Sequence, residues 1–251
     1  MRTFPEAVDA FKAGDLSDAD LYRTIMAHPG WQVVAEVDDA GATRLGVLRT
    51  PNGGRILELF SGADSLASFC AQEQAEMPAK MLQLPGFHLF GTLADAAVDR
   101  INLDLHSPHA THFLRDQIPL LRAWAEVVTV ELALAAPDRL PNPFAALRRF
   151  DGFNVVIRVD GAERDFVMAP DATRMLAAVF TAEDTVDEFL AEVGETITAE
   201  LGGELVVERM AGVPLFEALA QMSLDGIVFN PITHLPGVAL APGVIERVLS
   251  S

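Results

Sequence analysis

The sequence has few of the features that would fix a disulfide, a secretion leader or a membrane span. Its single cysteine, Cys70, cannot form an internal disulfide. No stretch approaches the ~20 apolar residues that a membrane-spanning helix needs. The first residues contain no apolar leader. These absences predict a cytoplasmic protein that does not insert into membranes.

Basic residues are also scarce. The chain has 18 Lys and Arg against 36 Asp and Glu, which gives a formal net charge of −18. Phosphate backbones and anionic membrane surfaces repel such a chain, so we expect no nucleic-acid partner. Two interpretations of the acidity stay open: a surface that keeps the protein soluble, and a docking face for a basic protein partner.

Short motifs of enzymes and cofactor sites are missing. The sequence has no Gly-rich dinucleotide fingerprint, no Gly-Lys-Ser/Thr phosphate loop and no Gly-x-Ser-x-Gly elbow. It also has no Cys-x-x-Cys and no His-Glu-x-x-His pattern. These absences weaken an enzymatic interpretation without excluding it, and we expect no cofactor.

The sequence does contain a duplication of its first half. Residues 30–34 return as 152–156, a shift of 152 − 30 = 122 positions, and residues 60–64 return as 180–184. A period near 120 residues is too long for a solenoid unit, so it indicates a duplicated domain. We therefore predict two domains, a first repeat at 1–137 and a second repeat at 138–251.

Each half shows the same order of elements: a helix, three strands, a helix, a strand, a helix, a strand and a helix. Tight turns at 38–41, 51–54, 160–161 and 170–171 require antiparallel strands. The sequence therefore predicts an α+β fold with two tandem, similar domains, each a mixed, largely antiparallel sheet with helices mainly on one face. Residues 126–135 permit strand or helix, and their Val and Leu content favours a strand.

The helix after the third strand begins alike in both halves. Ser61-x-x-Asp64 and Thr181-x-x-Asp184 both resemble capping boxes. The apolar positions that follow have helical spacing, and Cys70 takes the place that Leu190 has in the second half. We therefore predict that Cys70 is a core residue and not a nucleophile.

Two segments of the second half resemble the bacterial SseB-like domain family. Residues 179–189 resemble its "FTs-x-e-x-l-x-x-f" segment, and residues 224–231 resemble its "GivvNP" segment. The first half follows the same plan but has Asp104 where the second half has Asn230. The resemblance implies two tandem SseB-like domains and a secretion-associated or unassigned role, with no established catalytic residues.

Three histidines lie within seven residues. If 109–116 is helical, His109 and His112 share one face at i, i+3, as transition-metal ligands can, and His106 is the third candidate. A zinc site needs three or four convergent ligands, and the fourth is not identified. The alternative is a solvated, His-rich start of a helix.

A second candidate site lies where the last strand of each half ends. Asn230, Thr233 and His234, with Asp104 in the first half, are polar groups that could bind a small ligand there. The alternative is local, because Asn before Pro forms a turn that ends a strand.

The sequence supports two functional hypotheses. The first is a non-catalytic cytoplasmic protein that acts through protein–protein contacts, with a protein partner or a second copy of the chain, in regulation or secretion. The second is a small-molecule binder or enzyme with a site between the repeats, near the ends of the last strands. A cleft in which these polar groups converge would favour the second hypothesis.

Overall fold

A computed structural model describes residues 2–37, 43–93, 98–169 and 173–251. The predicted turns at 38–41 and 170–171 lie outside the described residues. The chain forms two compact units, Met1–Val128 (unit 1) and Thr129–Ser251 (unit 2). No helix in these described ranges is both long and apolar enough to cross a bilayer.

Unit 1 is built on one mixed sheet. Its helices are α1 (Phe4–Ala13), α2 (Asp18–Ala27), α3 (Ala63–Glu73), α4 (Gly86–Thr92) and the first part of α5 (Ile118–Ala135). Its strands are β1 (Trp31–Val37), β2 (Thr43–Leu45), β3 (Leu48–Arg49), β4 (Arg55–Phe60), β5 (Met81–Leu84), β6 (Arg100–Leu103) and β7 (Thr111–Leu114). In the described residues the order is β2-β1-β4-β6-β7, with β3 on β4 and β5 on β1. Strands β4 and β6 are parallel, and the other pairs are antiparallel.

Unit 2 repeats this plan. Its helices are the last part of α5, α6 (Pro143–Arg149), α7 (Glu183–Leu201), α8 (Gly212–Ala220) and α9 (Gly243–Leu249). Its strands are β8 (Phe153–Asp160), β9 (Glu163–Phe166), β10 (Leu176–Phe180), β11 (Glu204–Met210), β12 (Gly226–Phe229) and β13 (Val238–Leu240). The order in the described part is β11-β8-β10-β12-β13, with β9 on β8, and only the β10–β12 pair is parallel.

The strand registers of the two sheets correspond. Gln32 pairs with Phe60 in unit 1, and Asn154 pairs with Phe180 in unit 2. These are the shifts of 122 and 120 positions seen in the sequence. The predicted α+β fold of two similar, mixed, largely antiparallel sheet units is confirmed.

The preference for a strand at 126–135 was wrong, because these residues lie in helix α5. The buried residues Leu121, Ala125 and Val128 follow one another at spacings of four and three. That spacing is a helical stripe, which becomes visible only when the residues before 126 are included. The division of the chain between the two units falls within this helix.

Each sheet has helices on both faces. In unit 2, α7 packs over Val156, Ala178 and Phe180. On the other face Phe153 contacts Phe216 of α8, and α6, α8 and α9 pack on one another. In unit 1, α3 lies on one face, and buried Cys70 contributes to its contact with the sheet, as predicted.

A glycine begins the same helix in both units. The Gly86 N–H donates to the His28 carbonyl at 2.9 Å, and the Gly212 N–H donates to the Phe150 carbonyl at 2.6 Å. A Cβ on Gly86 would lie 2.3 Å from the Ile25 carbonyl oxygen, and one on Gly212 would lie 2.3 Å from that of Leu147. Both units therefore depend on a backbone contact that no side chain fits.

Candidate functional site

Asp104 lies at the end of β6, where it joins the parallel strand pair of unit 1 to the start of α3. The Ser61 N–H donates to Asp104 Oδ1 at 2.7 Å, and the Ser61 hydroxyl donates to Oδ2. The Asp104 N–H donates to the Leu59 carbonyl at 2.9 Å. Asp104 is buried and has a φ of 51°, a left-handed conformation that Asp and Asn tolerate better than most residues.

Asn230 does the same in unit 2. The Thr181 N–H donates to Asn230 Oδ1 at 3.0 Å, and Asn230 Nδ2 donates to Thr181 Oγ1 at 3.0 Å. Its N–H donates to the Val179 carbonyl at 2.8 Å, and its φ is 49°. Asp104 and Asn230 are therefore counterparts that close the same turn in the two units.

Thr233 bonds within the loop after β12, and His234 joins this loop to α7. The Thr233 hydroxyl donates to the Asn230 carbonyl at 3.1 Å. The His234 N–H donates to Glu188 Oε2 at 2.8 Å, and His234 Nδ1 lies 2.7 Å from the same oxygen. These two hydrogen bonds from His234, the backbone one first, hold the pKa of Glu188 below its ordinary value. The predicted ligand groups of unit 2 are thus engaged in contacts that fix this loop.

The structure separates the three histidines of unit 1. His106 Nε2 lies 2.5 Å from Glu73 Oε1, and His109 Nδ1 lies 2.9 Å from Asp9 Oδ1. His112 lies exposed on strand β7, so the assumed helix over 109–116 was wrong. Nowhere in the described ranges do three His, Cys, Asp or Glu side chains come together as a metal site would require.

A cavity of about 380 Å³ lies at the start of α3 in unit 1. Its lining includes Asp104 and His109, which were predicted as site residues, and four serines that were not. These serines are Ser61, Ser65, Ser68 and Ser107. The Asp104 carboxylate already accepts two hydrogen bonds from Ser61, and the lining also contains the Asp64 carboxylate and the His109 ring beside the serine hydroxyls.

A chain of buried, hydrogen-bonded polar side chains crosses the sheet of unit 1, and the sequence analysis did not predict it. Asn102 Nδ2 donates to Glu58 Oε1 at 2.6 Å, and Arg100 Nε donates to Asn102 Oδ1 at 2.6 Å. Glu58 is 5% exposed, and in the described part of the chain its Oε2 has no hydrogen-bond partner. Burial raises the pKa of Glu58, against the opposing effects of Asn102 and Arg100.

Unit 2 has no polar groups at the corresponding positions. The registers of the parallel pairs align Glu58 with Asn102 in unit 1 and Ala178 with Val228 in unit 2. Comparing the two halves position by position would have identified Glu58. The polar chain is thus a property of unit 1 alone.

The helix over this sheet face differs in length between the units. Helix α3 has 11 residues and α7 has 19, so α7 is 19 − 11 = 8 residues longer, or about 12 Å. In unit 2 the longer helix packs Val193 and Ile197 over a cluster that includes Leu176, which is 4% exposed. The counterpart of Leu176 in unit 1 is Ile56, which remains partly exposed.

Beside α3 on this face of the sheet lies a surface that we call the open face. It consists of Leu48, Ile56, Arg100 and Leu114, next to the buried Glu58 and Asn102. The registers place Leu48, Ile56, Arg100 and Leu114 in one row across four neighbouring strands, about 14 Å wide. Leu48 and Leu114 are each 49% exposed, so both ends of the row are apolar and accessible.

Comparison with known proteins identifies the first unit. No curated protein sequence matches the chain. The solved structure of Anabaena Tic22 (protein transport) covers 94% of this chain and 98% of its own, at 8% identity and a TM-score of 0.25, a likeness too weak to carry an argument. The family model of the SseB protein N-terminal domain matches residues 5–119, which contain β1 to β7. The match confirms the predicted SseB-like domain in the first unit, residues 5–119.

Proposed function

We propose that the chain is a non-catalytic cytoplasmic protein that acts by binding another protein, in a regulatory or secretion-associated process. The observation that carries this proposal is the open face of unit 1. It presents a row of side chains across four neighbouring strands, with an exposed leucine at each end.

Exposure of these leucines to water is unfavourable, and their burial in an interface is favourable. Burial of apolar surface contributes about 25 cal/mol per Å². Leu48 and Leu114 lie on neighbouring regions of one sheet face, so a single partner element can cover both. Exposed apolar side chains with a polar or charged residue among them, here Arg100, are common in protein-binding sites.

The test is affinity purification of the tagged protein from its native host, as wild type and as a Leu48→Asp/Leu114→Asp variant. We expect a partner, or a second copy of the chain, to co-purify in stoichiometric amount with the wild type and to be lost with the variant. The matched control is Leu120→Asp in α5, because Leu120 is 44% exposed and lies outside the open face. Absence of any stoichiometric partner from the wild type would contradict the proposal.

The cavity in unit 1 supports a second candidate, the binding of a small hydroxyl-bearing or amine-bearing molecule. Its volume of about 380 Å³ lies within the range of known ligand sites, and it contains polar groups that could orient such a ligand. Native mass spectrometry of the protein purified from its host would detect a bound molecule. We expect Ser65→Phe to remove that molecule, and a wild-type mass equal to that of the bare chain would contradict this candidate.

A further inference from the structure

We propose that the cavity at the start of α3 binds a small organic cation, and that the carboxylates of Asp104 and Asp64 select its ammonium group. This inference rests on the second candidate function, the small-molecule site of unit 1, and names the charge of its ligand. The ligand class follows from the charges that line the cavity, from its size and from the corresponding place in unit 2.

In unit 2 the corresponding place is bridged by two side chains. Glu188 of α7 accepts the His234 N–H at 2.8 Å, and His234 Nδ1 lies 2.7 Å from the same oxygen. Their counterparts in unit 1, counted from the matched starts of the helix and of the loop, are Ser68 and Pro108. Ser68 is too short to form this bridge and Pro108 has no N–H to donate. The cavity lies here, with Ser68 in its lining.

The lining of the cavity is anionic. Asp104 and Asp64 are its two carboxylates, and among the described residues no Lys or Arg lines it. His109 adds no net positive charge, because Asp9 Oδ1 lies 2.9 Å from its Nδ1. The start of α3 contributes about half a positive charge, which is less than the two carboxylates contribute with the opposite sign. The cavity therefore favours a cation over an anion.

The charge of Asp104 is the one that the protein leaves unbalanced. Asp104 is 2% exposed, so water screens its charge weakly. Both of its oxygens accept hydrogen bonds from Ser61, and in the described part of the chain no Lys or Arg contacts it. Burial lowers the pKa of the nearby His28, against the opposing effects of Asp104 and the Ser61 backbone, so His28 is neutral at pH 7. An ammonium group in the cavity supplies the missing positive charge.

The fold does not require this charge. Asn230 closes the same turn in unit 2 with an uncharged side chain. Phe150 takes the place of His28 there, since each accepts the N–H of the glycine that begins the next helix. The carboxylate of Asp104 is thus more than the turn needs, and a cationic ligand gives it a role.

The size and the hydroxyl groups of the cavity narrow the class of cation. A volume of about 380 Å³ lies near the lower end of the range for ligand sites. Nowhere in the described ranges do three His, Cys, Asp or Glu side chains come together for a metal ion. The hydroxyls of Ser68 and Ser107 can donate to or accept from polar groups of the ligand. A small amine that also carries hydroxyl groups fits this lining.

The experiment is an NMR titration of the full-length protein with 1,3-diamino-2-propanol and, separately, with glycerol. The two probes have the same heavy-atom skeleton and differ in that glycerol has hydroxyls in place of the two ammonium groups. We expect the amine to bind at least about tenfold more tightly than glycerol, because it alone forms charge-assisted hydrogen bonds. The amide signals of residues 61–65 should shift. Equal affinities, or no binding of either probe, would overturn the proposal.

The variant Asp104→Asn separates charge from fold, because Asn230 fills this place in unit 2. We expect it to weaken the amine about fivefold or more and to leave glycerol unchanged. The matched control is Asp116→Asn, which removes a charge from an exposed residue outside the lining and should leave the affinity nearly unchanged. Equal weakening by both variants would show general attraction to the acidic surface and would overturn the proposal.

The inference and the second candidate function fail in different ways. If the amine binds as described but the protein from its host has the mass of the bare chain, the candidate function fails while the preference of the cavity for a cation stands. If the host protein carries a molecule that Ser65→Phe removes, but the amine does not bind better than glycerol, the inference about charge fails while the candidate function stands.

Discussion

Replacing Gly86 with Ala tests the close backbone contact on which both units depend. The new Cβ would lie 2.3 Å from the Ile25 carbonyl oxygen and 2.7 Å from that of Met26. Both neighbours are backbone atoms of α2, so they cannot rotate away as a side chain would. Helix α4 would have to move relative to α2, and the hydrogen bond from Gly86 to His28 would be weakened.

Gly91 gives a matched control in the same helix. A Cβ at Gly91 would have no heavy atom within 4 Å. Replacing a helical Gly with Ala stabilises by roughly 0.5–1 kcal/mol, and this gain is common to both variants. Overpacking costs about 1–3 kcal/mol and applies to Gly86 alone. The free energy of unfolding should therefore be about 1–3 kcal/mol lower for Gly86→Ala than for Gly91→Ala.

Tryptophan fluorescence during urea unfolding measures this difference within unit 1. The chain has two tryptophans, Trp31 and Trp124, and both belong to unit 1. We expect the urea midpoint to fall in Gly86→Ala and to rise slightly in Gly91→Ala. Equal midpoints for the two variants would refute the argument that α4 and α2 are in unyielding backbone contact.

Two further predictions concern the buried polar groups of unit 1. Because Asn230 fills the same role in unit 2, the free energy of unfolding of Asp104→Asn should be close to that of wild type. Asp104→Ala leaves the Ser61 N–H unpaired and should lower the free energy of unfolding, measured in urea, by about 1–3 kcal/mol. Equal losses in both variants would contradict this prediction. Burial raises the pKa of Glu58, so the folded protein binds this proton more tightly than the unfolded chain does. The free energy of unfolding of the wild type therefore falls as the pH rises from the unfolded pKa, about 4.3, through the higher pKa of the folded state. The free energy of unfolding of Glu58→Gln should therefore rise relative to that of wild type across this pH window. A difference between the two that stays constant from pH 4 to pH 8 would contradict the burial of Glu58.

The fold was predictable because the duplication repeats the residues that make it. Phe60 and Phe180, for example, lie at the same register position and are both fully buried. Helix α5 was missed in part because residues 126–135 were considered without Leu121 and Ala125, which complete its apolar stripe. When the residues before 126 are left out, the helical spacing of the apolar positions can no longer be recognised.

The candidate sites were harder to predict, because chemistry depends on contacts that sequence proximity does not set. His106 and His109 lie three residues apart, but each turns to a different acidic partner, Glu73 and Asp9. Glu58 lies between apolar residues of β4, a pattern that fits an outward-facing polar residue equally well. Only the covering by α3 and the neighbouring Asn102 decide that this carboxylate is buried.

Amide hydrogen exchange of the protein alone and in complex with the co-purifying partner tests most directly whether the open face is the binding surface. We expect binding to slow exchange in β3, β4 and β7, at Leu48–Arg49, Arg55–Phe60 and Thr111–Leu114. We expect no change in β11 of unit 2 or at the serine-lined cavity. Protection confined to either of those regions, with the open face unchanged, would show that the partner binds elsewhere.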